Sequence, residues 1–246
     1  MAALADVIDM LRARRPLAAP YVIAVTGSVA VGKSVLSNQL KDAITGWPDR
    51  PVVEIIGTDG FLLDNAALEA KGLSTRKGFP ESYDLPALKA ALAAVRQGPV
   101  TIPGYSHSTY DIDPALARTL QRPGVLIVEG LGLQDDLGQG ADGRQLIDAL
   151  IYLDADEVDI EIWFTDRLVR LMLAAADDPT SFYTRFLGLD DAGRRDFCKM
   201  VWEGINRPNL RDHISRARDR AEIVIKKRGD HAIAGVAGRW ALALPS

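Results

Sequence analysis

The chain has 246 residues, is 48 % hydrophobic and 25 % charged, and carries a formal net charge of −4. That length accommodates one α/β domain with a sizeable core, and the slightly acidic balance gives no electrostatic reason to expect a nucleic-acid partner. A lone cysteine, Cys198, excludes an internal disulfide framework and reads as an ordinary helix residue; three histidines give no metal-cage spacing, and no run reaches the ~18 apolar residues of a membrane span.

In chain order, the first element is a helix ended by Pro16. Its acidic residues come early and its basic cluster late, the reverse of a secretory leader, so a cytoplasmic protein is expected. The apolar run Tyr21–Thr26 reads as a strand and Val35–Ile44 as a helix. Between them, Gly27, Ser28, Val29, Ala30, Val31, Gly32, Lys33 and Ser34 fit G-x-x-x-x-G-K-[ST]. A strand, a glycine loop and a helix in that order form a phosphate cradle. Gly27 and Gly32 permit a tight loop whose N–H groups point inward, and the helix beginning near Val35 adds its positive end. Lys33 reaches the β- and γ-phosphates, and the Ser34 hydroxyl suits Mg²⁺.

Further strands are expected at Val52–Ile56, Val125–Glu129, Leu150–Leu153 and Ile223–Ile225. Helical spacing over Leu85–Gln97 follows Asp84, a suitable cap. Pro, Gly, Ser, Thr and Tyr break the pattern over Gly98–Asp113, which reads as a loop or hairpin. From Val158 to about Ala217 the chain reads as helical, with a break near Asp177–Pro179. Strands alternating with helices, several wholly apolar, predict a three-layer α/β sandwich of the P-loop NTPase type around a mostly parallel sheet. Residues 1–246 are read as one domain, with a helical lid over about 156–218.

Phosphoryl transfer needs a carboxylate beside the phosphates to orient or deprotonate the acceptor. Asp59 directly follows the second strand, at the sheet edge that carries the P-loop, and is either that carboxylate or half of an Asp-Gly turn. Glu129 ends the strand Val125–Glu129 at the same edge and suits Mg²⁺ or its waters; otherwise it caps the strand or pairs with a lysine. His107, in the polar aromatic run 104–110, suits hydrogen bonding to a small molecule or is simply exposed. Arg167, on the lid helix, would stabilise a transferred phosphoryl group or pair with a neighbouring acid.

Taken together, the P-loop, Thr58–Phe61, Lys77-Gly-Phe-Pro-Glu-Ser-Tyr-Asp84, Tyr105-Ser-His107, Val128-Glu-Gly-Leu131 and Ile205-Asn206 resemble the prokaryotic type I pantothenate kinases of the phosphoribulokinase and uridine kinase group. The resemblance spans about residues 20–235. It implies an ATP- and Mg²⁺-dependent kinase in which Asp59 activates the terminal hydroxyl of pantothenate. It further implies that Tyr105, His107, Arg167 and Asn206 contact pantothenate or the transferred group, and that Lys227 and His231 lie near adenine. A homodimer and feedback inhibition by CoA are implied as well. Phe164 stands where the family has a substrate-contacting tyrosine, Leu168 and Leu171 replace aromatic residues, and Asn38 replaces an arginine that meets CoA phosphates. The alternative reading is a kinase of the same group acting on another hydroxyl acceptor, such as uridine or a sugar. A nucleotide switch is disfavoured: the chain lacks both Asn-Lys-x-Asp and Leu-Ser-Gly-Gly-Gln.

Overall fold

The computed structural model describes residues 2–16 and 18–240. Its centre is a six-stranded sheet in the order β10-β9-β8-β1-β7-β2. The strands are β1 (Tyr21–Gly27), β2 (Val53–Gly57), β7 (Val125–Glu129), β8 (Ala149–Asp154), β9 (Ile223–Lys227) and β10 (Ile233–Ala237). All pairings are parallel except that of β10 with β9. Every residue of β1 is buried, and so are the first four of β7, as befits strands covered on both faces. Two short ribbons stand apart, β3 (Val100–Ile102) with β6 (Arg118–Leu120) and β4 (Tyr105–Ser106) with β5 (Asp111–Ile112). Of the two readings for 98–113, loop or hairpin, the structure has the β4–β5 hairpin, with β3 entering the segment as well; β3, β6 and β10 carry no clear alternation in sequence.

Helices flank the sheet. In α2 (Lys33–Thr45), Leu36, Leu40 and Ile44 recur every four residues and are buried. Asp64 caps α3 (Asn65–Ala70) by accepting from the Ala67 N–H at 2.7 Å. Asp84 caps α4 (Leu85–Ala94) through the Ala87 N–H at 2.9 Å. α4 stops three residues short of the expected Gln97 because the chain tightens there, Gln97 N–H reaching Ala94 O at 2.9 Å. Likewise, the N-terminal helix α1 (Ala2–Ala13) ends before Pro16.

Between β8 and β9 the chain is helical. It runs through α5 (Glu157–Ala174), short 3-10 turns interrupted at residues 178–181, and α6 (Asp191–Val201). Two π turns, Trp202–Asn206 and Leu210–Ile214, then enclose α7 (Arg207–Asn209) before α8 (Arg216–Arg220). This region has a small core of its own, formed by Leu168, Val169, Met172, Ala175, Tyr183 and Cys198. Cys198 is buried there, and its environment holds the thiol above its ordinary pKa chiefly through desolvation, the opposite of a reactive thiolate. Among the described residues no helix is long and apolar enough to cross a membrane.

Candidate functional site

The parallel register delivers four chain segments to one edge of the sheet. Gly27 at the end of β1 lies opposite Leu153 of β8, while Val25 and Gly57 both pair with Glu129 of β7. Ligands in open α/β sheets collect beyond the carboxyl ends of the strands, where the chain switches direction. Here β1, with later strands on either side, is that point.

The P-loop leaves β1 at Gly27, whose φ of +142° suits glycine, and a Cβ there would meet Leu153 O at 2.5 Å. Gly32, at φ +94°, begins α2 without a side-chain cap, so the first N–H groups of the helix remain available to an anion. The Lys33 ammonium donates to Gly27 O at 3.2 Å and Ser28 O at 2.9 Å. Desolvation lowers its pKa, Glu129 and Asp59 favour its charged form, and Arg167 opposes it. These four side chains therefore share one electrostatic environment. The Ser34 hydroxyl donates to Glu129 Oε1 at 2.7 Å, which places two oxygen ligands side by side. A hydroxyl and a carboxylate side by side fit the donor chemistry of Mg²⁺, which uses one or two protein carboxylates rather than a full cage.

Asp59 sits in the 3-10 turn Thr58–Phe61 directly after β2. Its charge raises the pKa values of Tyr83, Tyr105 and Tyr110, in each of which desolvation is the larger cause. For Tyr110 the result is about 12. The Asp59 charge is thus felt by three phenols, whose burial favours their neutral form, and by the P-loop lysine. Tyr105 opens the β4–β5 hairpin and meets His107 edge-on at 5.2 Å, although His107 itself is exposed. Phe182 N–H bonds to Ser108 O at 2.8 Å and the Ser108 hydroxyl to Asp178 at 2.5 Å, which docks the hairpin on the helical region.

Arg167 is exposed on α5 and has no ion-pair partner among the described residues; its charge acts on both Lys33 and Tyr183. Phe164 packs between the two cores, 6.1 Å from the Trp202 ring. Leu168 is buried in the small helical core and Leu171 packs against it. The Nδ2 of Asn206 is buried and has no hydrogen-bond partner among the described residues. The amide of Asn38 donates to Ser34 O at 2.8 Å.

On the other flank, Lys227 at the end of β9 donates to Val31 O of the P-loop at 2.9 Å and lies 3.5 Å from His231 Nδ1. The His231 ring stacks on Trp163 at 4.0 Å and 22°, and Trp163 Nε1 donates to Gly229 O. Sequence reasoning did not find Trp163, because a tryptophan at helical spacing reads as core. It also gave no role to Lys77, whose partners Asn65 and Tyr110 lie 12 and 33 residues away.

The model of the phosphoribulokinase / uridine kinase family matches residues 22–174. A pantothenate kinase of Xanthobacter autotrophicus is 42 % identical over 228 residues, covering 89 % of this chain and 71 % of its own. A pantothenate kinase of Streptomyces avermitilis is 41 % identical, covering 87 % and 68 %. Among solved structures, a putative fructose transport system kinase from Silicibacter sp. TM1040 superimposes with a TM-score of 0.65 at 27 % identity, covering 85 % of this chain and 92 % of its own.

Proposed function

The chain belongs to the phosphoribulokinase/uridine kinase family of P-loop kinases, and from that premise we propose that it transfers the γ-phosphoryl group of ATP to the primary hydroxyl of pantothenate. The observation that carries this reading is the juxtaposition of Asp59 with Lys33 at one sheet edge, Asp59 being flanked by the Tyr105 and Tyr110 wall. Identity above 40 % to curated pantothenate kinases, over nearly nine-tenths of the chain, supports the choice of acceptor.

In the proposed reaction the P-loop amides and Lys33 hold the β- and γ-phosphates. Asp59 accepts the hydroxyl proton as the acceptor oxygen attacks the γ-phosphorus in line. The new O–P bond forms as the bond to the β–γ bridging oxygen breaks, and ADP leaves with that electron pair. Arg167 approaches the transferred phosphoryl from α5, with the helical region 156–218 serving as a lid. His107 and Asn206 complete the acceptor side. Ser34 and Glu129 would hold Mg²⁺, which when bound offsets charge on the phosphate oxygens. The stacked Trp163–His231 pair and Lys227 supply the nucleotide side.

A cytoplasmic homodimer is part of the same proposal. Feedback by CoA is expected to be weak, because position 38 offers a neutral amide already bonded to Ser34 O instead of a cation for phosphates. A second acceptor class, a sugar or a nucleoside, is favoured by Phe164, Leu168 and Leu171. The test is ADP formation across a panel of pantothenate, uridine and simple sugars. Stimulation by pantothenate above all others is expected; stimulation by a sugar or uridine alone would overturn this acceptor.

A further inference from the structure

The run Lys77–Asp84 carries the family resemblance most specifically, yet none of the chemistry above uses Lys77. Its ammonium is half-buried and has no carboxylate within ion-pair distance among the described residues. It donates to Asn65 Oδ1 at 2.7 Å and to the main-chain oxygen of Tyr110 at 2.6 Å. Asn65 Nδ2 reaches the same Tyr110 oxygen at 3.1 Å. Two side-chain donors, linked to each other, thus converge on one carbonyl.

That carbonyl belongs to a residue in an unusual conformation. Tyr110 has φ +58°, the left-handed region that a bulky side chain disfavours and that persists only where surroundings enforce it. The Lys77 ammonium also lies 4.3 Å from the centroid of the Tyr110 ring and 5.1 Å from that of Tyr105. The Tyr110 ring in turn meets Phe182 of the helical region at 4.8 Å. Lys77 is itself anchored through its neighbour, since Asn209 Nδ2 on α7 donates to Gly78 O at 2.8 Å. Burial lowers the Lys77 pKa, while the charges of Asp111, Asp59 and Asp64 act to keep it protonated.

We propose that Lys77 is a positioning residue for the acceptor: with Asn65 it clamps the Tyr110 carbonyl, imposes the left-handed turn of the β4–β5 hairpin, and thereby fixes the tyrosine wall opposite Asp59. This rests on the acceptor site assigned above. A charge-assisted clamp on the main chain fixes the hairpin more rigidly than packing alone, and errors of about 1 Å in acceptor placement are costly.

The experiment compares Lys77→Met, Asn65→Ala and the double variant. With pantothenate, each single variant is expected to raise KM for the acceptor about tenfold or more while KM for ATP stays within about twofold. The double variant should fall short of the product of the singles, because both donors act on one oxygen. An unchanged acceptor KM, equal rises in both KM values, or singles that multiply would overturn the assignment. Should the wild type not use pantothenate, the acceptor reading fails separately, and the clamp is then judged on a crystal structure of Lys77→Met. Tyr110 leaving the left-handed region supports it; Tyr110 keeping its φ near +58° overturns it.

Discussion

Replacing Gly130 by alanine tests how the ends of β7 and β2 hold Asp59. Gly130 directly follows Glu129, donates to Val25 O at 3.1 Å and accepts from the Thr26 hydroxyl at 2.8 Å, so it cannot easily move away. Its φ is +145°, and a Cβ built there lands on Thr58 Oγ1, with Thr58 Cβ at 3.0 Å and Thr58 N at 3.2 Å. The strained backbone costs about 1–3 kcal/mol and overpacking another ~1–3 kcal/mol, or about 4 kcal/mol in all. At about 2–4 °C per kcal/mol for a chain of this size, Tm should fall by about 8–16 °C. Because Thr58 adjoins Asp59, relief of the clash displaces the carboxylate, and a shift of about 1 Å lowers kcat about 100-fold. Gly72→Ala is the control: its φ is +67°, and a Cβ there meets nothing within 4 Å. It should cost only about 1–2 kcal/mol with kcat unchanged. Thermal melts and acceptor-dependent ADP formation on both variants give the answer. If Gly130→Ala matched Gly72→Ala in Tm and kcat, the reasoning about the Thr58–Asp59 turn would be wrong.

Three other outcomes follow from the same geometry. Asp148→Ala leaves the buried Arg96 guanidinium without its carboxylate at 3.2 Å and strips the Val22 N–H of its 2.8 Å acceptor; it should cost about 3 kcal/mol, read as a Tm drop of roughly 6–12 °C. His231, desolvated first and then opposed by Lys227, should titrate below 6.5 by NMR. Its neutral form is the one the fold favours, so its contribution to stability is present above 6.5 and is lost as pH falls through its lowered pKa; a midpoint at or above 6.5 contradicts this. Phe164→Tyr restores one hydroxyl on the acceptor side and should lower KM for pantothenate about fivefold, equivalent to about 1 kcal/mol, with KM for ATP unchanged.

The P-loop was legible because its signal is local: eight consecutive residues dictate both the loop and the helix that follows. The positions of Asp59 and Glu129 were legible for a different reason, since Glu129 ends one apolar run, Asp59 lies in the turn just after another, and parallel strands bring their carboxyl ends to one edge. What sequence could not show is contact at a distance. Lys227 reaches Val31 across 196 residues, and Trp163 meets His231 only after the helical region has folded back. Tyr110 adopts its left-handed backbone under the grip of two side chains remote in sequence, and no local pattern announces it. β10 and the π turns were missed because edge pairing and a wider helical turn leave no periodicity of their own.

The most direct measurement is steady-state kinetics of Asp59→Asn with ATP and pantothenate. Loss of the proton acceptor from an intact phosphate cradle predicts kcat lowered by about 100-fold or more, with KM for ATP near that of the wild type. A variant that turned over pantothenate at close to the wild-type rate would contradict the role assigned to this carboxylate.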